Sequence, residues 1–451
     1  MPSSEAAPVV KRRAVFAGVA AAVFALAACC GGDEESDAGV DGSARDAGAR
    51  DEDSGRDSGA VDGGAPAASW NRVEGLPETC YAFTAEDPIA AAGGELVFRP
   101  CADAEGCRRL DVDWHPYDGP RIDFAGILGA YSDGAFHFAF RRGWWREGWR
   151  LHVVGSDEGP VRHVLRTRSF DRRSGGCLAG PMAVSATEAV ITLMQYTAAG
   201  SVTHLHVLRL SRSLPGGVRL LASLDTAALR GQRGAQRVML GEDFVAIFVV
   251  PGGDILRVDH DGTTSWLTDT SMRSPVLEDA ANDLVLLNHG WPDASIWAAR
   301  GRELASPFIS GGDAAFNPHS DGADIVWLQA YGLVSGAGRW ERTELWTSPF
   351  SPDPRELAPR RVVEDAPFNR MYALGHGVVA AGEPATLSLS LWGLTGERLG
   401  ALPVPRDTEL RGTIILAMGE ESVAYSPTWR VRPYGGEHET LRIQRYDSLA
   451  P

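Results

Sequence analysis

From Trp70 to the C-terminus, short apolar strands preceded by Gly, Asp, Pro or Ser turns recur at intervals of 40–55 residues. They begin near Glu95 (ELVFRP), Ala135 (AFHFAF), Glu188 (EAVITLMQ), Asp243 (DFVAIFVV), Asp283 (DLVLLN), Asp324 (DIVWLQ), Gly377 (GVVAAG) and Ser422 (SVAYSP). Each has a second strand downstream, such as HLHVLRL at His204, ASIWAA at Ala294 and TELWTS at Thr343. Helical periodicity is confined to one short candidate, Ser223–Gly231. An all-β chain that is self-similar at this period folds as a radial array, because repetition around an axis removes the edge problem of a long open sheet.

Eight units of about 47 residues account for the body, so the expected fold is an all-β propeller of eight four-stranded blades. Seven blades is the second reading, with Trp70–Gly119 as a cap or partial blade. Two packed β-sandwiches are the alternative, and they predict less regular spacing. The last unit stops after its third strand, Leu441–Asp447, so a fourth strand must come from elsewhere. Trp70–Pro77 is the simplest donor, and the ring would then close by pairing of its two ends.

The chain ahead of the array has a different composition. Lys11-Arg12-Arg13 precedes an apolar run, Ala14–Ala28, that is too short to span a bilayer and has the pattern of a secretory signal. Gly31–Ser69 contains no aromatic residue, and it cannot bury enough apolar surface to offset chain entropy. It reads as an acidic spacer, with 11 acidic residues against 3 Arg over Gly31–Gly64. The whole chain carries −16, which argues against a nucleic-acid partner. The domain reading is therefore a signal at 1–28, a tether at 29–69 and the propeller at 70–451, in a monomer.

Two resemblances fit these observations. Leu26-Ala27-Ala28-Cys29 resembles the lipobox of bacterial lipoproteins. That resemblance implies that Cys29 is diacylated and becomes the mature N-terminus, with a location on a bacterial membrane. The residues after it are not acidic, which favours the outer membrane. In the body, Phe316-Asn317-Pro318 followed by Ser320-Asp321-Gly322 and Ile325-Val326-Trp327 resembles the turn and strand of TolB-like propeller repeats. His319 and Ser320 depart from that pattern by placing two extra residues before the Asp-Gly. The resemblance implies a propeller used for binding.

Four cysteines lie in the body, and export to an oxidising compartment predicts two disulfides. Of three connectivities, the closeness of Cys101 and Cys107 in CADAEGC favours that pair, leaving Cys80 with Cys177. The alternative, a metal site, lacks paired CxxC spacing and a nearby His. No metal and no cofactor are expected.

Asp259-His260-Asp261-Gly262 has the opening of a calcium loop, but Thr263-Thr264-Ser265-Trp266 follows in place of further ligands. An Asp-Gly hairpin is the favoured reading. His204 and His206 share one face of a strand, a geometry able to hold a metal, yet no third ligand is close in sequence. The most unusual segment concentrates Arg141, Arg142, Trp144, Trp145, Arg146 and Trp149 between two strands of an acidic protein. Trp and Arg are enriched at binding hot spots, which makes this a candidate ligand surface, while packing between blades is the plainer account.

No Gly-x-Ser-x-Gly elbow, His-Glu-x-x-His motif, phosphate loop or dinucleotide fingerprint occurs. The expected function is a non-catalytic scaffold for an envelope protein or glycan. The alternative is a propeller enzyme (glycan lyase, hydrolase or lactonase), which a convergence of Asp, Glu and His near the axis would favour.

Overall fold

The computed structural model describes most of residues 71–445. Residues 1–70 and 446–451 and internal stretches including 86–93, 101–105, 115–121, 143–149, 156–162, 168–174, 212–216, 404–413 and 427–441 fall outside the described set. The chain divides into two units, Met1–Gly64 and Ala65–Pro451. The described residues begin at Asn71, so the expected signal, Cys29 and the whole tether lie outside them.

The second unit is a β-propeller. Its described strands form seven antiparallel sheets, here numbered as blades 1–7 in chain order. Their innermost strands are Ile122–Asp133, Gly176–Val184, Gly234–Leu240, Val276–Ala281, Ala314–Ser320, Tyr372–Gly375 and Ile414–Met418. Each innermost strand contacts that of the next blade, and Ile414–Met418 contacts Ile122–Asp133, so the series returns to its start.

The sequence expected eight blades, and the pairing explains the difference. Seven of the eight repeat markers are the second strands of blades 1–7. The eighth, Gly94–Pro100, pairs with Cys107–Trp114. That hairpin joins blade 7 through Arg442↔Arg109, Ile443↔Arg108 and Gln444↔Cys107. The place beside Arg442–Arg445 therefore goes to Cys107–Trp114 and not to Trp70–Pro77. Asn71–Arg72 instead pairs with Ala82–Ala85, which extends the outer edge of blade 1 at His163–Thr167. The short helix expected at Ser223–Gly231 is also absent. Its first residues finish the strand Val218–Asp225, and one turn capped by the Asp225 side chain follows.

The core lies between blades, one layer per pair. In Phe244–Val250, Val245, Ile247 and Val249 pack toward blade 2, while Phe244 and Ala246 pack toward blade 4. In Asp324–Val334, Ile325 and Trp327 face blade 4, while Val326 and Leu328 face blade 6. Side chains alternate along a strand. Burial on both faces therefore makes these strands read as continuous apolar runs.

Third-to-fourth-strand hairpins dock on the preceding blade. A Cβ on Gly262 would approach Leu221 O to 2.7 Å, and one on Gly396 would approach Val362 O to 2.8 Å. Both glycines hold positive φ, 92° and 96°. The Asp259–Gly262 stretch is thus a hairpin, as expected. Asp259 Oδ1 accepts from Arg257 Nε at 2.6 Å and its Oδ2 from Arg302 Nε at 2.7 Å, while Asp261 Oδ1 accepts from Thr263 N at 2.7 Å. Arg257 also donates to Asp283 and to Gly301 O, which ties blade 3 to blade 4.

Candidate functional site

Innermost strands carry a repeated irregularity. The pairing of first to second strand slips at residues 127/129, 179/182, 235/237, 277/279, 316/319 and 415/417. Such bulges re-aim side chains and leave backbone groups without ladder partners. In blade 2 the bulge falls at Gly180-Pro181, where Thr192 Oγ1 donates to Pro181 O at 2.9 Å.

Around the bulges of blades 3–5, polar residues of blades 3–6 come together that sequence reasoning did not connect. Arg237 Nη1 of blade 3 donates to Leu277 O and to Glu278 Oε2 of blade 4, both at 2.8 Å. Asn288 Nδ2, on the second strand of blade 4, donates to Glu278 Oε1 at 2.6 Å. Asn288 Oδ1 accepts from Asn317 N of blade 5 at 3.0 Å. The Tyr372 hydroxyl of blade 6 donates to Asn317 O. The relay thus spans four consecutive blades, and at each crossing a side chain of one blade engages a backbone group or carboxylate of its neighbour. Asn317 itself holds φ 51°, in the left-handed region that Asn tolerates better than most residues.

Beside the relay, Asp279 Oδ1 accepts from Ala280 N at 2.8 Å and Oδ2 from Ser320 N at 2.9 Å. His319 Nδ1 lies 3.5 Å from Asp279 Oδ2, and its ring meets Tyr372 edge-on at 4.9 Å. Burial, and then the charges of Glu278 and Asp279, push the Tyr372 hydroxyl well above its ordinary pKa, so it serves as a donor. Glu278, Asp279 and His319 remain partly exposed. Two adjacent acidic residues inside an otherwise apolar inner strand, VLEDAA, were the one signal that could have marked the place.

A second cluster lies on blade 2. Cys80 and Cys177 form a disulfide, Cα–Cα 5.0 Å, as the sequence reading paired them. Cys107 is disulfide-bonded too, while its expected partner Cys101 falls outside the described residues. A ring nitrogen of His206 and the two sulfurs lie within 4.8 Å of one another. His206 is distant from both cysteines in sequence and reaches the pair through sheet pairing. Gln195 sits opposite both Cys177 and His204, and Leu193 sits opposite His206. Cys80 arrives from the N-terminal segment, whose Val73 and Leu76 pack on the same face. Burial, and then the neighbouring His204, lower the His206 pKa to about 4.

Of the expected ligand surface, Arg141 and Arg142 end the second strand of blade 1, Ala135–Arg142. Trp144, Trp145, Arg146 and Trp149 lie outside the described residues. His289 follows Asn288 and packs on Trp297, ring centroids 4.4 Å apart.

No family model and no curated protein matches the chain. Solved structures similar to it include the β-propeller domain of the Trilobed protease from Pyrococcus furiosus. That match has 9% identity and a TM-score of 0.42, and it covers 66% of this chain and 90% of that one. A putative TolB from Agrobacterium tumefaciens matches at 13% identity, TM-score 0.30, over 53% of this chain and 83% of that one. Prolyl oligopeptidase B from Galerina marginata matches at 13% identity, TM-score 0.40, over 68% and 47%. These are likenesses of fold. The propeller itself is read from the sheet order and the succession of inner strands.

Proposed function

We propose that the protein is a lipid-anchored binding propeller of the bacterial cell envelope. Cys29 carries the lipid, the acidic segment spaces the propeller from the outer membrane, and a protein or glycan is the ligand. The observation that supports binding is the state of the two carboxylates at the bulges. All four oxygens of Glu278 and Asp279 accept a hydrogen bond from the protein. Their positions are therefore set before a ligand arrives, and pre-organisation lowers the cost of binding. A carboxylate oxygen has two acceptor sites, so each keeps capacity for a hydroxyl or amine donor. A general acid would have to bring a proton to this place, and these groups are arranged as acceptors. The segment with Trp144 and Trp145 is a second contact surface in this reading.

One observation favours the enzyme reading: Glu278, Asp279 and His319 converge on neighbouring inner strands. The two are separated by crosslinked capture from the native envelope, comparing the lipidated protein with Glu278→Gln/Asp279→Asn and Trp144→Ala/Trp145→Ala variants. A partner retained by the parent and lost by either variant supports binding. Turnover of a glycan or lactone by the parent that Asp279→Asn abolishes overturns it in favour of catalysis. Acyl labelling of the parent but not of Cys29→Ser tests the anchor, and a labelled mutant would refute it.

A further inference from the structure

We propose that the Cys80–Cys177 disulfide is the oxidised state of a metal site, and that its dithiol form binds a zinc-class divalent ion through both sulfurs and His206. The three residues are buried, with relative exposures of 1% for Cys80, 2% for Cys177 and 1% for His206. Their ligand atoms already lie within 4.8 Å of one another. Zinc–sulfur bonds of about 2.3 Å and zinc–nitrogen bonds of about 2.0–2.1 Å require ligand atoms roughly 3.5–4 Å apart in a tetrahedral set. Opening the sulfurs from bonding distance is therefore the main change needed.

The histidine supplies a second, independent indication. Its Nε2 lies 3.1 Å from Gln195 Oε1, and Nδ1 is buried with no hydrogen-bond partner. An amide oxygen only accepts, so Nε2 carries the proton and Nδ1 carries a lone pair directed at no donor. A buried acceptor without a donor is costly and calls for an explanation. Metal-bound histidines commonly donate from their other nitrogen in this way, and that bond fixes tautomer and ring orientation. The His204 ring stacks parallel to His206, centroids 5.8 Å apart, and its Nδ1 is also buried without a partner. His204 or water would complete the coordination.

The chemistry balances with a dithiol reductant. The reductant gives two electrons and two protons to the S–S bond and becomes a disulfide, leaving thiols on Cys80 and Cys177. Binding of the ion then releases both thiol protons to solvent as two metal–sulfur bonds form. Either cross-link, disulfide or ion, joins the N-terminal segment to blade 2, so the exchange preserves the fold.

The test uses the full chain, oxidised or reduced with a phosphine under nitrogen, titrated with Co2+ and then Zn2+. The expected result is one Co2+ per reduced chain, with thiolate-to-cobalt charge-transfer and tetrahedral d–d bands that Zn2+ removes. The oxidised chain and Cys80→Ser/Cys177→Ser give no such bands, and His206→Ala weakens Co2+ binding at least tenfold. If His206→Ala does not fold, His206→Gln is read instead. Absence of the bands in the reduced parent, their survival in the double serine variant, or unchanged affinity in the His206 variant would overturn the proposal.

Discussion

The two faces of blade 2 carry polar groups into apolar layers and treat them in opposite ways. Toward blade 3, Glu188 accepts from Arg209 and lies 3.2 Å from His260 Nε2, beside the layer built on Val190, Val207 and Val245. On the other face, His206 sits by a disulfide among Leu193, Leu208, Val73 and Leu76, with one ring nitrogen unpartnered. The first face pairs its carboxylate with Arg209 and sets it beside the His260 ring of blade 3. The second joins the segment around Cys80 to a blade by a covalent bond, and its polar atom is left over. His260 Nε2 also lacks a hydrogen-bond partner, so the contrast rests on what surrounds each group: a carboxylate held by Arg209 reads as architecture, and an unpartnered nitrogen beside sulfur reads as chemistry.

The disulfide face should show the largest effect. Cys80 and Cys177 are 97 residues apart in sequence. A cross-link over a loop of that length stabilises by about 4–5 kcal/mol in the chain-entropy description. Cys80→Ser/Cys177→Ser should lower unfolding free energy by that order in denaturant titrations under non-reducing conditions. A loss below about 1 kcal/mol would mean that the apolar contacts of Val73 and Leu76 hold the segment without the bond, which would erase the contrast between the faces.

Sequence alone made some of this arrangement readable. Apolar runs after turn signals, EAVITLMQ and HLHVLRL, located the strands of blade 2, and the two-residue spacing put both histidines on one face. What brings Cys80 to them is tertiary, because the N-terminal segment crosses from the edge of blade 1 to blade 2. Among the described strands seven sheets stand where eight blades were expected, for a related reason. Gly94–Pro100 and Cys107–Trp114 look like any other strand pair, and only hydrogen bonding to Arg442–Arg445 assigns them to blade 7. The Glu278–Asn317 relay was hidden more deeply. Bulges have no strict residue signature, so the side chains they re-aim cannot be placed from periodicity.

The opposite face of blade 2 should respond to acid. Burial pushes the Glu188 carboxyl up, but hydrogen bonds and charge from His260 and Arg209 outweigh it and hold the group below its ordinary pKa of 4.5. A carboxyl depressed in the folded state contributes stability that is fully present above the unfolded value. That contribution is lost as pH falls from about 4.5 through the lower folded value. Glu188→Gln should cost about 3 kcal/mol at neutral pH, because the largely buried Arg209 guanidinium loses its charged partner. It should also remove this part of the acid slope in unfolding free energy measured from pH 6 to 3. An unchanged slope would transfer acid sensitivity elsewhere and break the assignment of charge pairing to this face.

An exposed pair supplies the lower limit of the scale on which both faces are judged. The Asp353 side chain accepts from Arg355 Nε at 3.0 Å, Nη2 at 2.7 Å and backbone N at 3.0 Å. The Arg355 side-chain hydrogen bond, then its backbone one, lowers the Asp353 pKa to about 2. The geometry rivals that of Glu188, yet Arg355 is 86% exposed. Solvent screens such pairs and side-chain entropy opposes them, so they contribute little to stability. Arg355→Ala should move the Asp353 carboxyl resonance titration upward toward the ordinary carboxylate range, with no measurable change in the thermal midpoint. If the midpoint falls as far as it does for Glu188→Gln, burial is not what separates an architectural ion pair from a decorative one, and the reading of blade 2 loses its basis.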